Sequence, residues 1–598
     1  MIDNTKEPTV PELDALLVRF RTLNHFTRNY QEDEQLGLLY IATYSRLKGG
    51  YAVRVLDEYS ISLELLCRTL NESRAKVVGF YCDHENIWAI LTAIRVIRER
   101  IPEVLCVVGG PQVSASPWDK RVFQESPVDV AVIGEGEHAF LEILDSFIRG
   151  SGRFSSIAGI NYRNGEEVVA TDARKAEANL DVFPFPDRNL NYYGKKASGN
   201  ENLITARGCP GMCAFCFEGR QVGVRARSVN SVLEEVEMLL RDRNMVYLAI
   251  LDDLFTLNAK RVIEICDGFR SLQDKYHDFK WFCEGRVDII SKHPEIAQAM
   301  QEAGLIRLQI GVESGNQKIL DAYRKGITLE QITECVDICY QADILSVIGN
   351  VIIGGAFEDN QTIQNTIEFV CKLMARAPGC YDFNTTIFTP YPGTAIYKHP
   401  EEYGLNIIDP DCVTGMGDNY AFSETESLSK WQILDARHRV MEAFETVATS
   451  LIPSISDERK LRHFQAFYLY GIQTVWFQAM ATQNRFYNYY GLQVSSGKHP
   501  VRSVADGTVF NMKPIRTISI GSSVDGQLVL PFLDTPIRLG RFGGRILELC
   551  CGKLTTAQIV DSLHSELLGK VSRERISEYV ITTLKRLDDE KLVLMSET

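Results

Sequence analysis

The chain has 598 residues, 45% of them apolar and 24% charged, with a formal net charge of −14. That length exceeds one hydrophobic core, so three or four domains are expected, and the acidity argues against a general nucleic-acid surface. No apolar run is long enough to span a bilayer and residues 1–8 hold no signal-peptide core, so no membrane contact is expected; with 15 cysteines, a reducing cytoplasm is the expected location.

Residues 1–165 alternate apolar runs with helical patterns, as a parallel α/β sheet does. Strands are predicted at 15–20, 51–57, 76–81, 104–108 and 128–133, with helices at 37–47, 63–70 and 88–98. The expected fold is Rossmann-like, yet no G-x-G-x-x-G follows the first strand, which weakens a dinucleotide reading. Ligands of such sheets bind at the carboxyl ends of the strands. Those ends carry Tyr81, Cys82, Asp83 and His84, then Gly109, Gly110 and Gln112, then Gly134, Glu135 and Gly136. A small hairpin is predicted over 157–171, turning at Arg163-Asn164-Gly165, and a Pro-punctuated connector closes the stretch 166–200.

Residues 201–400 again alternate strand and helix, with strands predicted at 203–205, 247–251, 280–283, 307–310, 347–353 and 382–388. Six such units fit a partial (β/α)6 barrel, whose functional groups belong at the carboxyl ends of its strands. Residues 401–510 read as a helical, aromatic-rich extension. Residues 511–598 read as a hairpin around Gly526 followed by three helices, the second capped by Thr555 or Thr556.

The loop after the first barrel strand holds Cys209, Cys213 and Cys216 in a C-x3-C-x2-C run, among Gly208, Pro210 and Gly211. Structural zinc takes four Cys or His ligands, and a cubane iron–sulfur cluster takes one thiolate per iron. Three thiolates leave one iron open to a small molecule. Three buried thiols, or half of a zinc site, are the alternatives.

The spacing, with Phe215 before the last Cys, resembles the radical S-adenosylmethionine (SAM) superfamily. The resemblance implies a [4Fe-4S] cluster on Cys209, Cys213 and Cys216 whose open iron chelates SAM, with Phe215 near the adenine. It places the SAM amino-group contact at Asp252-Asp253, where Asp253 is equally suited to cap a helix. After the third strand, Arg286 is a candidate for the SAM carboxylate and Glu284 for the open iron; mutual pairing of the two is the other reading. Glu313 and Ser314 are implied along the ribose and methionine part, and Ile353 against the adenine. The usual Pro-Gly-Glu that follows is replaced by Ala356-Phe357-Glu358. The loop 389–394 resembles a substrate-proximal loop, which makes Tyr391 a catalytic candidate; a plain Pro-rich turn is the alternative.

The first 165 residues resemble the cobalamin-binding domain of one radical SAM class, through Gly37-Leu38-Leu39-Tyr40, Val78-Gly79-Phe80, Val108-Gly109-Gly110-Pro111 and Gly134-Glu135-Gly136-Glu137. The D-x-H-x-x-G motif that gives cobalt a His in methionine-synthase-like domains is missing. The resemblance therefore implies that the loop 81–86 approaches the lower face of the corrin, with His84 meeting either cobalt or solvent and phosphate. The last domain resembles the winged-helix peptide-recognition domain of pyrroloquinoline quinone biosynthesis, which grips a leader peptide by strand addition; a pocket cap or a dimerisation domain are the alternatives.

Together these imply a cobalamin-dependent radical SAM C-methyltransferase of natural-product biosynthesis. Methylcobalamin would deliver methyl to a carbon of an amino acid or precursor peptide, and flavodoxin or ferredoxin would supply electrons. Polar methylation of an aromatic carbon such as an indole, and a rearrangement without methyl gain, are the competing chemistries.

Overall fold

The computed structural model describes residues 12–21, 35–58, 61–192, 199–217, 223–411, 420–496, 509–517, 523–524, 527–530, 537–539, 541–567 and 570–596. The sequence readings at residues 1–8, 518–520 and 526 lie outside them. The chain divides into two compact units, 1–444 and 445–598. Among the described residues no helix is long and apolar enough to cross a membrane.

The first unit opens with β1 (Ala15–Phe20), β2 (Val53–Glu58), β3 (Val77–Tyr81), β4 (Leu105–Gly109) and β5 (Val130–Val132), followed by β6 (Ile160–Asn164) and β7 (Glu167–Ala170). The sheet order is β2-β1-β3-β4-β5-β6-β7. The first five strands are parallel and the last two antiparallel. The inner strands β3, β4 and β5 carry no charged residue because helices cover both faces of the sheet there. One core lies under the helices Leu63–Ser73, Ile87–Arg100 and Trp118–Glu125. The other lies under Leu36–Gly49 and Glu137–Arg149, and the connector residues Leu180, Phe183 and Leu190 join it. The predicted hairpin extends this sheet to Ala170, so a boundary at residue 165 would cut its turn.

The strand order reverses between β1 and β3, the switch point at which such sheets bind ligands. Asn86 secures that crevice, donating from Nδ2 to Tyr81 O (3.0 Å) and Phe20 O (3.4 Å).

The second sheet of this unit is built from β8 (Asn200–Leu203), β11 (Tyr247–Ile250), β12 (Lys280–Gly285), β13 (Leu305–Glu313), β14 (Ser346–Ile353) and β15 (Tyr381–Ile387). Each strand pairs in parallel with its neighbour in this order. Helices follow the strands, so the sheet has the six parallel strands and intervening helices of the expected partial (β/α)6 barrel. The ribbon β9 (Ala206–Arg207) and β10 (Arg225–Ala226) frames the cysteine loop. The stretch read as a helical extension begins instead with an antiparallel pair, Leu405–Ile407 with Ser423–Thr425, before the helix Lys430–Leu451.

In the second unit the helices Asp457–Tyr470, Val475–Ala481 and Asn484–Ser496 pack with the terminal segment rather than standing apart at residue 510. Tyr489 donates to Asp588 (3.1 Å), and Lys591 pairs with Asp457 (2.7 Å). Lys513–Arg516 pairs antiparallel with Val593–Ser596, and the helices Arg541–Leu549, Thr556–Glu566 and Arg573–Asp589 enclose a shared core. Thr555, not Thr556, caps the middle helix, in a capping box with Gln558.

Candidate functional site

The cysteine loop is strapped at both ends before any metal binds. Asp252, at the end of β11, spends both carboxylate oxygens on the loop entrance. It accepts Thr205 N (2.6 Å), Ala206 N (3.0 Å) and the Thr205 hydroxyl. Burial pushes its carboxyl up to about 6, against the pull of those donors. The neighbouring Asp253 accepts Gly208 N (3.0 Å). The sequence offers the two acids alike; the structure buries Asp252 beneath the loop entrance and leaves Asp253 partly exposed. Further on, Ala214 N donates to Tyr323 O (2.8 Å), and Ile396 N donates to Ala214 O (3.1 Å).

Cys209, Cys213 and Cys216 are all half-buried. Gly211 N donates to the Cys209 sulfur (3.4 Å), and a Cβ on Gly211 would stand 3.4 Å from that sulfur and 3.8 Å from the Cys213 sulfur. Among the described residues no three His, Cys, Asp or Glu side chains form a single-ion site, whereas a cubane takes one thiolate per iron. The donor set, three thiols in one short loop with those of Cys209 and Cys213 beside its glycine, fits the expected cluster.

Two cations flank this loop. Arg286 Nη1 lies 3.3 Å from the same Gly211 Cβ position. It takes Asp288 as its carboxylate (2.8 Å) and donates to Lys325 O (3.1 Å). Glu284, on β12, accepts Gln309 Nε2 (3.2 Å). Lys325 escaped the sequence reading. Its ammonium pairs with Glu313 (2.6 Å) and sits 5.7 Å from the centre of the Phe215 ring. Burial works against the charge on Lys325, but Glu313 and Cys213 outweigh it and hold the amine charged. The only signal was a cationic turn, Tyr323-Arg324-Lys325-Gly326, with no motif. Tyr323 was missed too; it meets Phe215 edge-on, with ring centres 5.0 Å apart.

Glu313 is thus committed to Lys325, and its backbone is left-handed at φ +60. Ser314 is fully buried and accepts Asn316 N (3.2 Å), a local turn rather than an open hydroxyl. Ile353 is fully buried at the end of β14.

On the first sheet, the loops after β3 and β4 are laced together. Cys82 N donates to Gly109 O (2.7 Å), and Gln112 N donates to Cys82 O (3.3 Å). At Gly110, with φ +110, a Cβ would stand 2.6 Å from Cys82 O, so only glycine fits. The Cys82 side chain itself belongs to the apolar core, and burial pushes its thiol well up. Gln112 Nε2 is buried with no hydrogen-bond partner among the described residues. An orphaned amide beside a glycine-only loop, at the carboxyl edge of the sheet, fits a polar ligand such as the corrin. Burial raises the Asp83 carboxyl and lowers the His84 imidazole. The His84 ring meets the Tyr391 ring edge-on at 4.6 Å, so the loop after β3 touches the loop after β15.

Gly134, with φ +87, has open space around it, whereas Gly136 sits against Ile41. Glu135 and its neighbour Glu137 turn to arginines of the β9–β10 ribbon: Glu135 to Arg207 (3.2 Å) and Arg225 (2.7 Å), Glu137 to Arg207 (2.6 Å). Glu135 was expected at the cofactor; its carboxylate is occupied by these guanidiniums.

Residues 203–370 match the Radical SAM superfamily and residues 30–144 match the B12 binding domain. An uncharacterized methyltransferase from Pyrococcus horikoshii is 31% identical over 373 residues, covering 61% of this chain and 78% of that protein. The anaerobic magnesium-protoporphyrin IX monomethyl ester cyclase of Cereibacter sphaeroides is 26% identical over 368 residues, 59% of this chain and 58% of the cyclase. In fold, the chain resembles the cobalamin-dependent SAM radical enzyme OxsB, with a TM-score of 0.59 and 16% identity, over 81% of this chain and 75% of OxsB.

Proposed function

The chain belongs to the cobalamin-dependent radical SAM methyltransferases, and on that premise we propose that it methylates a carbon of an amino acid or of a residue in a ribosomally made precursor peptide. Its cofactors are a [4Fe-4S] cluster, SAM and cobalamin. When bound, the cluster and SAM supply radical chemistry and cobalamin carries the methyl group.

The residues of this chain bind, orient and shield. Cys209, Cys213 and Cys216 hold the cluster. Arg286 and Lys325 present positive charge at the cysteine loop, suited to the SAM carboxylate. Asp253, which accepts Gly208 N and is partly exposed, suits the SAM ammonium, and Phe215, backed by Tyr323, is the flat apolar wall for the adenine. Gly109, Gly110 and Gln112 offer backbone and amide contacts to the corrin. The observation that carries the reading is the His84–Tyr391 contact, which brings the sheet edge expected to hold cobalamin against the barrel loop expected near the substrate. The peptide part rests on the small β-and-helix domain of the second unit, with its short antiparallel pair 513–516 and 593–596.

The test is anaerobic turnover of the reconstituted full chain with SAM, reduced flavodoxin or ferredoxin, and candidate amino acids and peptides. A product heavier by one CH2, formed in step with 5′-deoxyadenosine, supports radical methylation. The same product without 5′-deoxyadenosine means polar transfer, as to an indole. A product with no mass gain overturns methylation and favours a rearrangement or ring closure, a reading the cyclase relative makes worth testing. Failure of the full chain to bind any leader peptide, with free amino acids methylated, removes the peptide reading.

A further inference from the structure

We propose that Arg207, Glu135 and Glu137 form a positioning device through which the cobalamin domain fixes the cluster loop. Arg207 stands two residues before Cys209, on β9, separated from it only by Gly208 at φ +89. Directly across the ribbon, in register, stands Arg225 of β10. Two arginines facing each other on a two-stranded ribbon repel. The ribbon therefore needs counter-charge, and its own strands, Ala206–Arg207 and Arg225–Ala226, hold none.

The counter-charge comes from the other sheet. Glu135 lies between the two guanidiniums, 3.2 Å from Arg207 and 2.7 Å from Arg225. Glu137 takes the second arm of Arg207 at 2.6 Å. Burial opposes the charge on Glu135, yet the two arginines hold its carboxyl below the usual range. The Arg207 guanidinium is also flanked by Tyr40, 5.3 Å to the ring centre, and by Phe183 of the connector at 5.2 Å. These side chains are largely withdrawn from water: 18% exposed for Arg207, 13% for Arg225 and 5% for Glu137. Water screens such a network poorly.

The consequence is a coupling. The ribbon that frames the three cysteines is relaxed only when carboxylates of the cobalamin domain neutralise it. Glu135 and Glu137 act on the cluster loop through Arg207, so they are positioning residues. This rests on the assignment of the cluster to the three cysteines, which iron loss in Cys213→Ala tests separately.

The experiment uses the full chain reconstituted with iron, sulfide and cobalamin. Glu135→Gln, Glu137→Gln and Arg207→Lys are compared for iron and cobalamin content, for the EPR spectrum of the reduced cluster with SAM, and for SAM affinity. Both glutamine variants are expected to keep iron and cobalamin, to change the SAM-dependent spectrum, and to bind SAM about fivefold more weakly, the low end for a site-to-site coupling because one carboxylate remains on Arg207. Arg207→Lys, which keeps charge but loses the fork, should fall between these and the parent. Unchanged spectra and affinity in both glutamine variants overturn the proposal. So does loss of cobalamin with an unchanged cluster spectrum, which would make the glutamates corrin contacts. Should the buried Glu137→Gln variant fail to fold, Glu135→Gln, 27% exposed at the parent carboxylate, decides.

Discussion

Replacing Lys325 with Met keeps the stem of the side chain and removes the ammonium 2.6 Å from Glu313. The two side chains are 14% and 7% exposed, so the carboxylate left behind is buried without its cation. Removing one partner of a buried pair costs about 3–5 kcal/mol. Taking ~2.1 cal/mol/K of unfolding entropy per residue over the unit 1–444, that cost lowers its melting temperature by about 3–5 °C. Scanning calorimetry of the cofactor-free and reconstituted protein measures it. Adding Glu313→Gln to Lys325→Met removes the stranded charge and should restore most of the loss. A double variant that melts as low as Lys325→Met, or a single variant within about 1 °C of the parent, refutes the buried-pair account.

Gly110→Ala drives a Cβ to 2.6 Å from Cys82 O at a φ of +110; the strain, on the order of 1–3 kcal/mol, should part the loops after β3 and β4 and lower the cobalamin retained through gel filtration, and full retention would show the loops yield without consequence. Glu358 accepts the Gly354 amide, and burial pushes its carboxyl up to about 7. A carboxyl raised on folding contributes stability that is whole below its unfolded value of 4.5 and is lost as pH rises through about 7, up to ~3 kcal/mol here. Between about pH 5 and about pH 8 the melting temperature of Glu358→Gln should therefore gain on the parent; a constant difference sinks the assignment. Phe357 stands at φ +54, half exposed, where the family resemblance expects glycine. Phe357→Gly should raise the melting temperature by about 1 °C, since relief of roughly 1–2 kcal/mol of backbone strain outweighs the lost ring contact at Gly404; a lower value would mean that contact dominates.

Much of the fold was legible because its signals are local. Strand 15–20 stands as read and most of the others move only at their ends, but the first barrel strand, read at 203–205, lies at Asn200–Leu203 and shares only Leu203 with that reading. Apolar runs broken by glycine are enough to fix a parallel sheet covered on both faces. The fate of the acids was not legible. Asp252 and Asp253 are adjacent, and which one ties Thr205 depends on how β11 lies beside β8. Ser314 reads as a ligand group, yet its hydroxyl is taken by Asn316 N and the Thr366 hydroxyl. The aromatic helices of 457–496 gave no hint that they pack with the terminal domain, since Asp457 and Lys591 are distant in sequence.

By itself the sequence determined the two sheets, because apolar periodicity is a short-range property of the chain, and the cysteine spacing carried the family resemblance that pointed to the cofactor class. Only the tertiary structure decided the partners of the charged side chains. It gave Glu313 to Lys325, Asp252 to the loop entrance, and Glu135 and Glu137 to Arg207 and Arg225. A buried charge takes whichever opposite charge the fold brings within hydrogen-bond reach, and that neighbour is set by how separate strands and loops converge.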